Sequence, residues 1–413
     1  DNMIRKEVLE QALDKLGICE LREEQKEPLA AALSGEDIIV RLPTGLGKSL
    51  IGQVPAIMDP TGYTLVLSPM LALQTDQAAK MSAHGVDAYF LNSTLGAEQR
   101  KAVLSAMHAG RGRMLIYLGP EQLARKDVRT ALTLGGCRRV VVDEAHLILE
   151  ATDSFRPEFH QIGGVLHSLP TRPQVIALTA TITARGIKDL KGELRIPNAV
   201  VFKGPVRRTN LSLNIVHVAG ENFQDLINRA VLRQLKKLED KSKAIIYCPT
   251  PKRVKEVYKQ LKSREFSVVH LHGETKREKR EKRQLDFMHG QAQIMVATTA
   301  FGLGVDIPDV RMVIHAGLPL SLDGYFQEIG RAGRDGKPAR CCLIYHDGDF
   351  GRNRNILSSG SAERKKYAAR QENLLKKLVS GKSCIWKMAE KYFGDGVGKR
   401  CHGCPSCIRH DHL

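Results

Sequence analysis

A short turn between an apolar strand and a helix constrains this chain more than any other stretch of its sequence. Residues 38–40 form an apolar run that predicts a buried strand, and a helix is predicted from Leu50. A glycine-containing turn that opens a helix directs backbone N–H groups and the positive end of the helix dipole at one point, which suits a phosphate group. The turn is Pro43-Thr44-Gly45-Leu46-Gly47-Lys48-Ser49. We therefore predict a nucleotide site in which Lys48 contacts phosphate oxygens and Ser49 binds Mg²⁺.

A second apolar strand, predicted at residues 140–142, ends in two adjacent carboxylates and a histidine, Asp143-Glu144-Ala145-His146. Open α/β sheets bind ligands at the carboxyl ends of their strands. We expect Asp143 to complete the Mg²⁺ shell and Glu144 to orient and deprotonate an attacking water. Phosphoryl transfer needs this positioning of phosphate, metal and water more than it needs covalent chemistry.

Two hydroxyls follow the next predicted strand, in Thr179-Ala180-Thr181. The residues alone leave two interpretations open. The hydroxyls link His146 to movement elsewhere, or they cap the helix that follows.

Strands and helices alternate along most of the chain, which predicts parallel, doubly wound sheets. A basic connector containing Gly and Pro interrupts this alternation at residues 203–211. We predict three parts: a nucleotide-binding domain at residues 1–203, a second α/β domain at residues 204–350, and a small helical part at residues 351–413.

The second half has no phosphate-binding turn, but it contains Gln327-Glu328-Ile329-Gly330-Arg331-Ala332-Gly333-Arg334. Two arginines three residues apart among small residues are expected to project past a helix face. Guanidinium groups bind phosphate bidentately and always carry charge. We predict that Arg331 and Arg334 neutralise charge on the transferring phosphoryl group across a cleft that closes with ATP.

The charge balance favours a polyanionic partner, most simply nucleic acid, because 63 basic and 45 acidic side chains give a net charge of +18. No run approaches the roughly 18 apolar residues of a membrane span, and no apolar signal region opens the chain. Five of the nine cysteines are scattered, which predicts a reducing, intracellular location.

The other four cysteines, Cys384, Cys401, Cys404 and Cys407, are spaced like the ligands of a structural zinc site. A disulfide pair is the alternative, and a reducing compartment disfavours it. Three histidines are alternative ligands, namely His402, His410 and His412.

These motifs together resemble the RecQ family of superfamily 2 DNA helicases over nearly the whole chain. The segment Leu21-Arg22-Glu23-Glu24-Gln25 is similar to the family's adenine-recognition segment, which implies that Arg22 and Gln25 bind nucleotide. Ser68-Pro69-Met70 resembles a phosphodiester contact, and Thr179 and Thr181 belong to a motif placed near DNA. The other matching segments are Asn92-Ser93-Thr94, Gly119-Pro120-Glu121, residues 245–248, residues 297–308 with Thr298 and Asp306, and residues 327–334 with Gln327.

The resemblance implies two tandem RecA-like domains and a helical zinc-binding subdomain that holds zinc through all four cysteines. It implies an ATP-dependent 3′→5′ DNA helicase that uses ATP, Mg²⁺ and Zn²⁺ and acts on single-stranded DNA and junctions. In this comparison Thr298 contacts DNA and Asp306 contacts nucleotide. A eukaryotic source would imply the nucleus. Two alternatives remain: a DNA-dependent ATPase or translocase with weak unwinding, and a zinc-stapled nucleic-acid-binding module.

The sequence departs from the family pattern in the loop after His146. Ala151 and Asp153 occupy the places of a Trp and a His, whereas Phe155 and Arg156 fit and are predicted to contact DNA. An aromatic that stacks on a base contributes about 1–3 kcal/mol, so weaker stimulation of the ATPase by DNA is expected. Leu46 replaces a usual Gly. A winged-helix domain that commonly follows is not seen before Leu413, so weaker unwinding is also expected.

Overall fold

The computed structural model describes residues 2–43, 45–69, 71–150, 157–299, 301, 307–358 and 362–411. Its chain packs as two compact units, residues 1–205 and residues 206–413. The predicted boundaries at 203/204 and 350/351 remain predictions. None of the helices in these described ranges combines the length and the apolar character that crossing a membrane requires.

The first unit is built on a seven-stranded parallel sheet, in the order β3-β4-β2-β5-β6-β1-β7. Its strands are β1 Ile38–Arg41, β2 Tyr63–Leu67, β3 Asp87–Leu91, β4 Met114–Leu118, β5 Cys137–Val142, β6 Gln174–Thr179 and β7 Val200–Lys203. Its helices are α1 Asn2–Lys15, α2 Glu23–Leu33, α3 Leu50–Met58, α4 Leu71–Ala83, α5 Ala97–His108, α6 Lys126–Leu134, α7 Leu147–Glu150, α8 Gln161–His167 and α9 Ala184–Glu193. Short 3₁₀ turns lie at Pro120–Ala124 and Pro157–His160.

Helices cover both faces of this sheet, as the alternation of side chains along its strands shows. Ile39 packs on one face with α5, α6, α8 and α9, whereas Ile38 and Val40 pack on the other face with α1 to α4. A parallel strand buried on both faces is apolar at every position, which is why runs such as residues 38–40 were recognisable in the sequence. The predicted doubly wound fold is therefore confirmed for this unit.

The second unit has a six-stranded parallel sheet, in the order β10-β11-β9-β12-β13-β8. Its strands are β8 Leu211–His217, β9 Lys243–Tyr247, β10 Val268–Leu271, β11 Ile294–Ala297, β12 Val310–Ala316 and β13 Ala339–Tyr345. Its helices are α10 Phe223–Leu235, α11 Pro251–Lys262, α12 Arg277–Met288, α13 Leu322–Ile329, α14 Gly348–Leu357, α15 Ala362–Val379, α16 Ile385–Phe393 and α17 Pro405–Asp411.

The cysteine-containing segment shares the hydrophobic core of the second unit. Trp386 and Phe393 on α16 lie with ring centroids 6.0 Å and 5.8 Å from Phe326 on α13. Cys404 and Cys407 belong to the same buried cluster. The predicted helical part is present, and it packs directly against the α/β core.

Two edge strands were not predicted. Strands β7 and β8 flank the connector that the sequence marks as a break, and each is the last strand of its sheet. Strand β8 alternates in burial along most of its length and lacks a continuous apolar run, whereas β7 contains the short apolar run Val200-Val201-Phe202, whose residues are exposed or half-buried. Local hydrophobicity therefore gave no signal for β8, and the short apolar run of β7 was not recognised as a strand.

Candidate nucleotide and nucleic-acid site

The phosphate-binding turn joins β1 to α3, as predicted. Gly45 and Gly47 have φ angles of +87° and +68°, a region that suits glycine because it has no Cβ. Ser49 is the N-cap residue of α3. A helix therefore begins where the turn ends, which is the geometry of an anion site. Thr44 lies outside the described residues.

Two side chains at the start of α2 hold this turn, the N-cap residue Arg22 and Gln25 in the first turn of the helix. The Gln25 amide is 5% exposed and donates from Nε2 to the carbonyl oxygens of Leu46 and Gly47, at 2.9 Å and 3.2 Å. The Arg22 guanidinium donates to the Gly45 carbonyl at 2.9 Å. A Cβ on Gly47 would lie only 2.6 Å from the Gln25 amide nitrogen. The adenine-recognition role of Gln25 and Arg22 stays a prediction, because here both side chains bind the phosphate loop.

The two carboxylates follow β5 at the same edge of the sheet. The Asp143 N–H donates to the Leu67 carbonyl at 2.9 Å, and its Oδ1 accepts from the Glu144 N–H at 3.0 Å. Glu144 adopts a φ of +49°, unusual for a residue with a Cβ. Such strain occurs where the surrounding structure fixes a side chain for a task.

Charge and burial set the protonation of Asp143. Burial and, next, the neighbouring Glu144 carboxylate raise the pKa of Asp143 to about 6, although the Lys48 ammonium acts in the opposite direction. A nearby cation stabilises the ionised form of a buried acid of this kind. The phosphate-loop lysine already faces it, so the sequence prediction that Lys48 and Asp143 belong to one site agrees with this electrostatic contact.

Ser49 and Asp143 line the same small cavity, together with Gln53 and Tyr117. The cavity has a volume of about 10 Å³, roughly the room that one water molecule needs. Hydroxyl and carboxylate oxygens are the donors that Mg²⁺ prefers, so this donor set fits the ion. Sequence reasoning missed Gln53 and Tyr117, because neither belongs to a motif and both reach the cavity through tertiary packing.

The threonine at the end of β6 bonds to the histidine after β5. His146 Nδ1 lies 3.0 Å from Thr179 Oγ1, and that hydroxyl donates to the Thr181 carbonyl at 3.0 Å. The N-cap of α9 is instead Thr183, which accepts from the Gly186 N–H at 3.1 Å. The capping interpretation is therefore wrong for Thr179 and Thr181, and the link to His146 is favoured.

Adjacent strands bring these groups together. In the sheet β5, β6 and β1 are neighbours, so Asp143, Thr179 and the phosphate loop follow three consecutive strand ends. Next to β5 lies β2, which ends at Ser68 and Pro69, two residues that are predicted to contact DNA. Strands β3 and β4 end at the segments Asn92-Ser93-Thr94 and Gly119-Pro120-Glu121, which match the family pattern. One edge of one sheet thus carries both sets of residues.

The predicted DNA-contact residues differ in exposure. The side chains of Ser68, Thr179 and Thr298 are buried, whereas Pro69 and Thr181 are half-buried. Their roles stay predictions. Phe155, Arg156 and Asp306 lie outside the described residues, as do residues 151–154 of the altered loop.

The second unit places its arginines after a helix. Helix α13 ends at Ile329, so Arg331 and Arg334 lie in the turn that follows, and Gln327 lies in the last turn of the helix. The prediction that both arginines project freely past the helix is wrong for Arg331. Its side chain packs beside the Tyr247 hydroxyl and is only 7% exposed. Next to it a buried pair, His315 Nε2 and Glu328 Oε2 at 2.8 Å, fixes the end of α13.

The four predicted zinc ligands converge. The sulfur atoms of Cys384, Cys401, Cys404 and Cys407 all lie within 4.8 Å of one another, and the Cys401 and Cys407 sulfurs are 3.8 Å apart. Tetrahedral zinc with Zn–S bonds of about 2.3 Å requires sulfurs about 3.8 Å apart, whereas a disulfide requires about 2.0 Å. The set fits a closed zinc site and excludes a disulfide in this arrangement.

Hydrogen bonds prepare one of these thiols for ionisation. Burial raises the pKa of Cys384, but hydrogen bonds from the backbone of Lys387 and Cys401 and from the neighbouring thiols outweigh burial and lower it to about 7. Burial raises the pKa of Cys401 and of Cys404. A metal ion would stabilise all four thiolates and remove this cost.

Two family models match the chain. The model for "DEAD/DEAH box helicase" matches residues 22–190, and that for "Helicase conserved C-terminal domain" matches residues 226–336. Among solved structures, the chain resembles the structure of Saccharomyces cerevisiae Dbp5 bound to RNA and ADP BeF3, with a TM-score of 0.66 and 20% sequence identity. The matched region covers 90% of this chain and 97% of the Dbp5 chain. At this identity the likeness shows the fold alone.

Curated relatives give the family. "ATP-dependent DNA helicase RecQ" of Haemophilus influenzae is 32% identical over 395 residues, which cover 95% of this chain and 62% of that protein. "Probable ATP-dependent DNA helicase RecS" of Bacillus subtilis is 36% identical over 354 residues, which cover 85% of this chain and 69% of that protein. The chain thus spans roughly two thirds of the length of these relatives, and with these matches and this site geometry it belongs to the RecQ family of superfamily 2 helicases.

Proposed function

We propose that this chain is an ATP-dependent DNA helicase that moves 3′→5′ on single-stranded DNA and separates duplexes. The observation that carries the proposal is the shared cavity of Ser49 and Asp143 at the sheet edge where Glu144 and the His146–Thr179 pair also lie. Support for DNA comes from the names of the relatives and from the net charge of +18.

The residues divide the work of ATP hydrolysis among them. The backbone N–H groups of the phosphate loop and the Lys48 ammonium bind phosphate oxygens, and Ser49 and Asp143 hold Mg²⁺. The ion, when bound, neutralises charge on the phosphates. Glu144 orients the attacking water and accepts its proton on a carboxylate oxygen. Its Oε2 has no hydrogen-bond partner among the described residues and lies 3.4 Å from His146 Nδ1, so it has a lone pair available.

We include Gln327, Arg331 and Arg334 as residues that sense and neutralise the γ-phosphate, as the family resemblance implies. An arginine of this kind contributes on the order of 10³–10⁵ in rate. Replacing Arg334 with Gln should therefore lower kcat by at least about a hundredfold, whereas Arg340→Gln, an exposed arginine on β13, should change it little. Equal effects of the two changes would contradict the assignment.

Contacts with DNA are proposed at Ser68, Pro69, Phe155, Arg156, Thr181 and Thr298. Zinc is proposed as a structural ion at the four cysteines, since a full thiolate shell leaves no open position for chemistry. None of the nine cysteines, which all lie in the described ranges, forms a disulfide, which supports a reducing, intracellular location, and a eukaryotic source would place the chain in the nucleus.

The decisive experiment compares the steady-state ATPase of the wild type and Glu144→Gln, with and without a single-stranded oligonucleotide. We expect hydrolysis that DNA stimulates, and a loss of about 10²–10⁴-fold in the variant with retained binding of a fluorescent ATP analogue. Glu193→Gln is the matched control, because Glu193 pairs with His160 outside the site. Equal rates in wild type and Glu144→Gln would overturn the assignment of Glu144.

Strand separation tests the rest of the proposal. A duplex with a 3′ single-stranded tail should be unwound, and one with a 5′ tail should not. DNA-stimulated hydrolysis without unwinding of either duplex would support a translocase instead. Binding of DNA with no hydrolysis in any variant would favour a zinc-stapled binding module.

A further inference from the structure

A buried amide on α4 connects two loops at the edge of the first sheet. Gln74 is 1% exposed, and its Nε2 donates to the carbonyl oxygen of Ser68 at 2.8 Å. Its Oε1 accepts from Asn92 Nδ2 at 3.2 Å. Asn92, also 1% exposed, accepts from the Thr94 N–H at 2.9 Å and from the Thr94 hydroxyl at 2.6 Å. A continuous chain of hydrogen bonds therefore runs from Ser68 to Thr94.

The strand order shows what this chain of bonds spans. Ser68 follows β2 and Asn92 follows β3, but β4 lies between these two strands in the sheet. The Ser68 N–H completes the span by donating to the Leu118 carbonyl at the end of β4, at 3.0 Å. Gln74 thus fixes the relative positions of two loops that no strand pairing joins directly.

Because the Gln74 amide is buried, its two hydrogen bonds favour a single arrangement of the two loops. A buried amide that loses its partner costs about 1–3 kcal/mol, and buried polar groups that are all satisfied favour a single arrangement. If either loop moved away, the Ser68 carbonyl or the Asn92 amide would lose its hydrogen bond inside the protein. The Gln74 side chain is the only group described here that bonds to both loops.

We propose that Gln74 is a positioning residue for the DNA interface, holding the Ser68-Pro69 and Asn92–Thr94 loops in the register that binds a DNA backbone. This inference rests on the proposed function, since Ser68 and Pro69 are DNA contacts only there. Phosphate contacts position a protein on a nucleic acid, so displacing these uncharged loops should weaken DNA binding even though the residues that contact DNA are unchanged. Gln74 acts through these two loops and is not itself a proposed DNA contact.

The test is Gln74→Met, which keeps the length of the side chain and removes its amide. The matched control is Gln174→Met, because the Gln174 amide also donates to two backbone carbonyls, those of Ala32 and Glu36 at 2.9 Å and 2.7 Å. Gln174 begins β6 and therefore lies at the opposite edge of the same sheet. Both variants lose comparable hydrogen bonds, but only one loses them beside the loops.

Binding of a fluorescein-labelled oligothymidine is measured by anisotropy over a range of salt concentrations, beside binding of a fluorescent ATP analogue and thermal unfolding. For Gln74→Met we expect an oligonucleotide Kd raised about tenfold with the ATP-analogue Kd unchanged. Gln174→Met should leave both constants near those of the wild type while it lowers the unfolding temperature. Equal oligonucleotide affinities in the two variants would overturn the inference.

A second variant keeps the test decisive if Gln74→Met folds poorly. Asn92→Asp retains the acceptor for Thr94 but places a carboxylate oxygen, which cannot donate, against Gln74 Oε1. We expect it to weaken oligonucleotide binding as Gln74→Met does, and unchanged binding in a folded Asn92→Asp would overturn the inference. A wild type that binds no oligonucleotide would refute the proposed function as well, which separates the two failures.

Discussion

Replacing Thr179 with Val removes one hydroxyl from beneath His146 while keeping the shape of a fully buried side chain. The Thr179 hydroxyl gives its only proton to the Thr181 carbonyl, so it must accept in its 3.0 Å contact with His146. His146 Nδ1 therefore carries a proton, and the valine leaves that donor without its acceptor. The ring then loses the contact that orients it beside Glu144.

The cost follows from the burial of these groups. Leaving a buried donor unsatisfied costs about 1–3 kcal/mol. Glu144 Oε2 lies 3.4 Å from the same nitrogen and offers partial compensation, so we expect about 1–2 kcal/mol. For a unit of about 200 residues this corresponds to a fall in Tm of about 2–8 °C. Because the carboxylate that compensates is the proposed base, we expect kcat for ATP to fall about tenfold or more, with little change in KM.

The assay combines thermal unfolding with steady-state ATPase in the presence of single-stranded DNA. Thr179→Ser is the matched control, since it keeps the hydroxyl and loses only a buried methyl group, which costs about 1 kcal/mol. We expect Thr179→Ser to be destabilised to a similar degree but to keep its kcat. If Thr179→Val keeps the wild-type kcat, or if both variants lose it equally, the hydrogen bond to His146 does not serve the reaction and the reasoning is refuted.

Three further changes test other parts of the structure. Gly47→Ala should weaken binding of a fluorescent ATP analogue at least about tenfold, because a φ of +68° is strained for Ala and the new Cβ would lie 2.6 Å from the Gln25 amide nitrogen. The control Gly35→Ala, with a φ of +85° and no atom within 4 Å of the new Cβ, should not weaken this binding. Cys404→Ser should lose most of the bound zinc and unfold at lower temperature, measured by metal analysis and calorimetry, while the exposed Cys19→Ser should keep both properties. Burial, and next the Arg283 guanidinium 3.1 Å from Nε2, lower the pKa of His270 from 6.5 to about 4. Between these two values the unfolded chain binds a proton that the folded chain does not, so stability falls as the pH drops through this range. His270→Gln should reduce this fall in unfolding temperatures measured from pH 7.5 to 4.5, and an unchanged pH profile would contradict the environment described for this ring.

The motifs at strand ends could be located from the sequence because their signals are local. The apolar run at residues 38–40 with its glycine turn, and the run at residues 140–142 with its carboxylates, each specify a strand and its ligand end within a few residues. The four cysteines were equally recognisable, since Cys401, Cys404 and Cys407 follow one another at the short spacing of metal ligands and Cys384 completes a set of four. Each of these predictions agrees with the geometry of the structure.

Predictions that needed distant neighbours were incomplete. Arg331 was expected to project freely, but packing beside Tyr247 buries it. The edge strand β8 had no continuous apolar run to mark it, because exposed positions alternate with buried ones along most of it, and the short apolar run of β7 next to the connector was not recognised as a strand. Gln74 carried no signal at all, since its two partners come from loops that separate strands bring together.

The sequence by itself determined the alternation of strands and helices, the phosphate-binding turn, the carboxylates after β5 and the cysteine set, because each depends on residues close together in the chain. Only the tertiary structure decided which strand ends are neighbours. The order β5-β6-β1 places Thr179 between Asp143 and the phosphate loop, and the order β3-β4-β2 places Gln74 where it can bond to two loops. Strand order depends on the packing of the whole sheet and its helices, and no short segment of sequence contains that information.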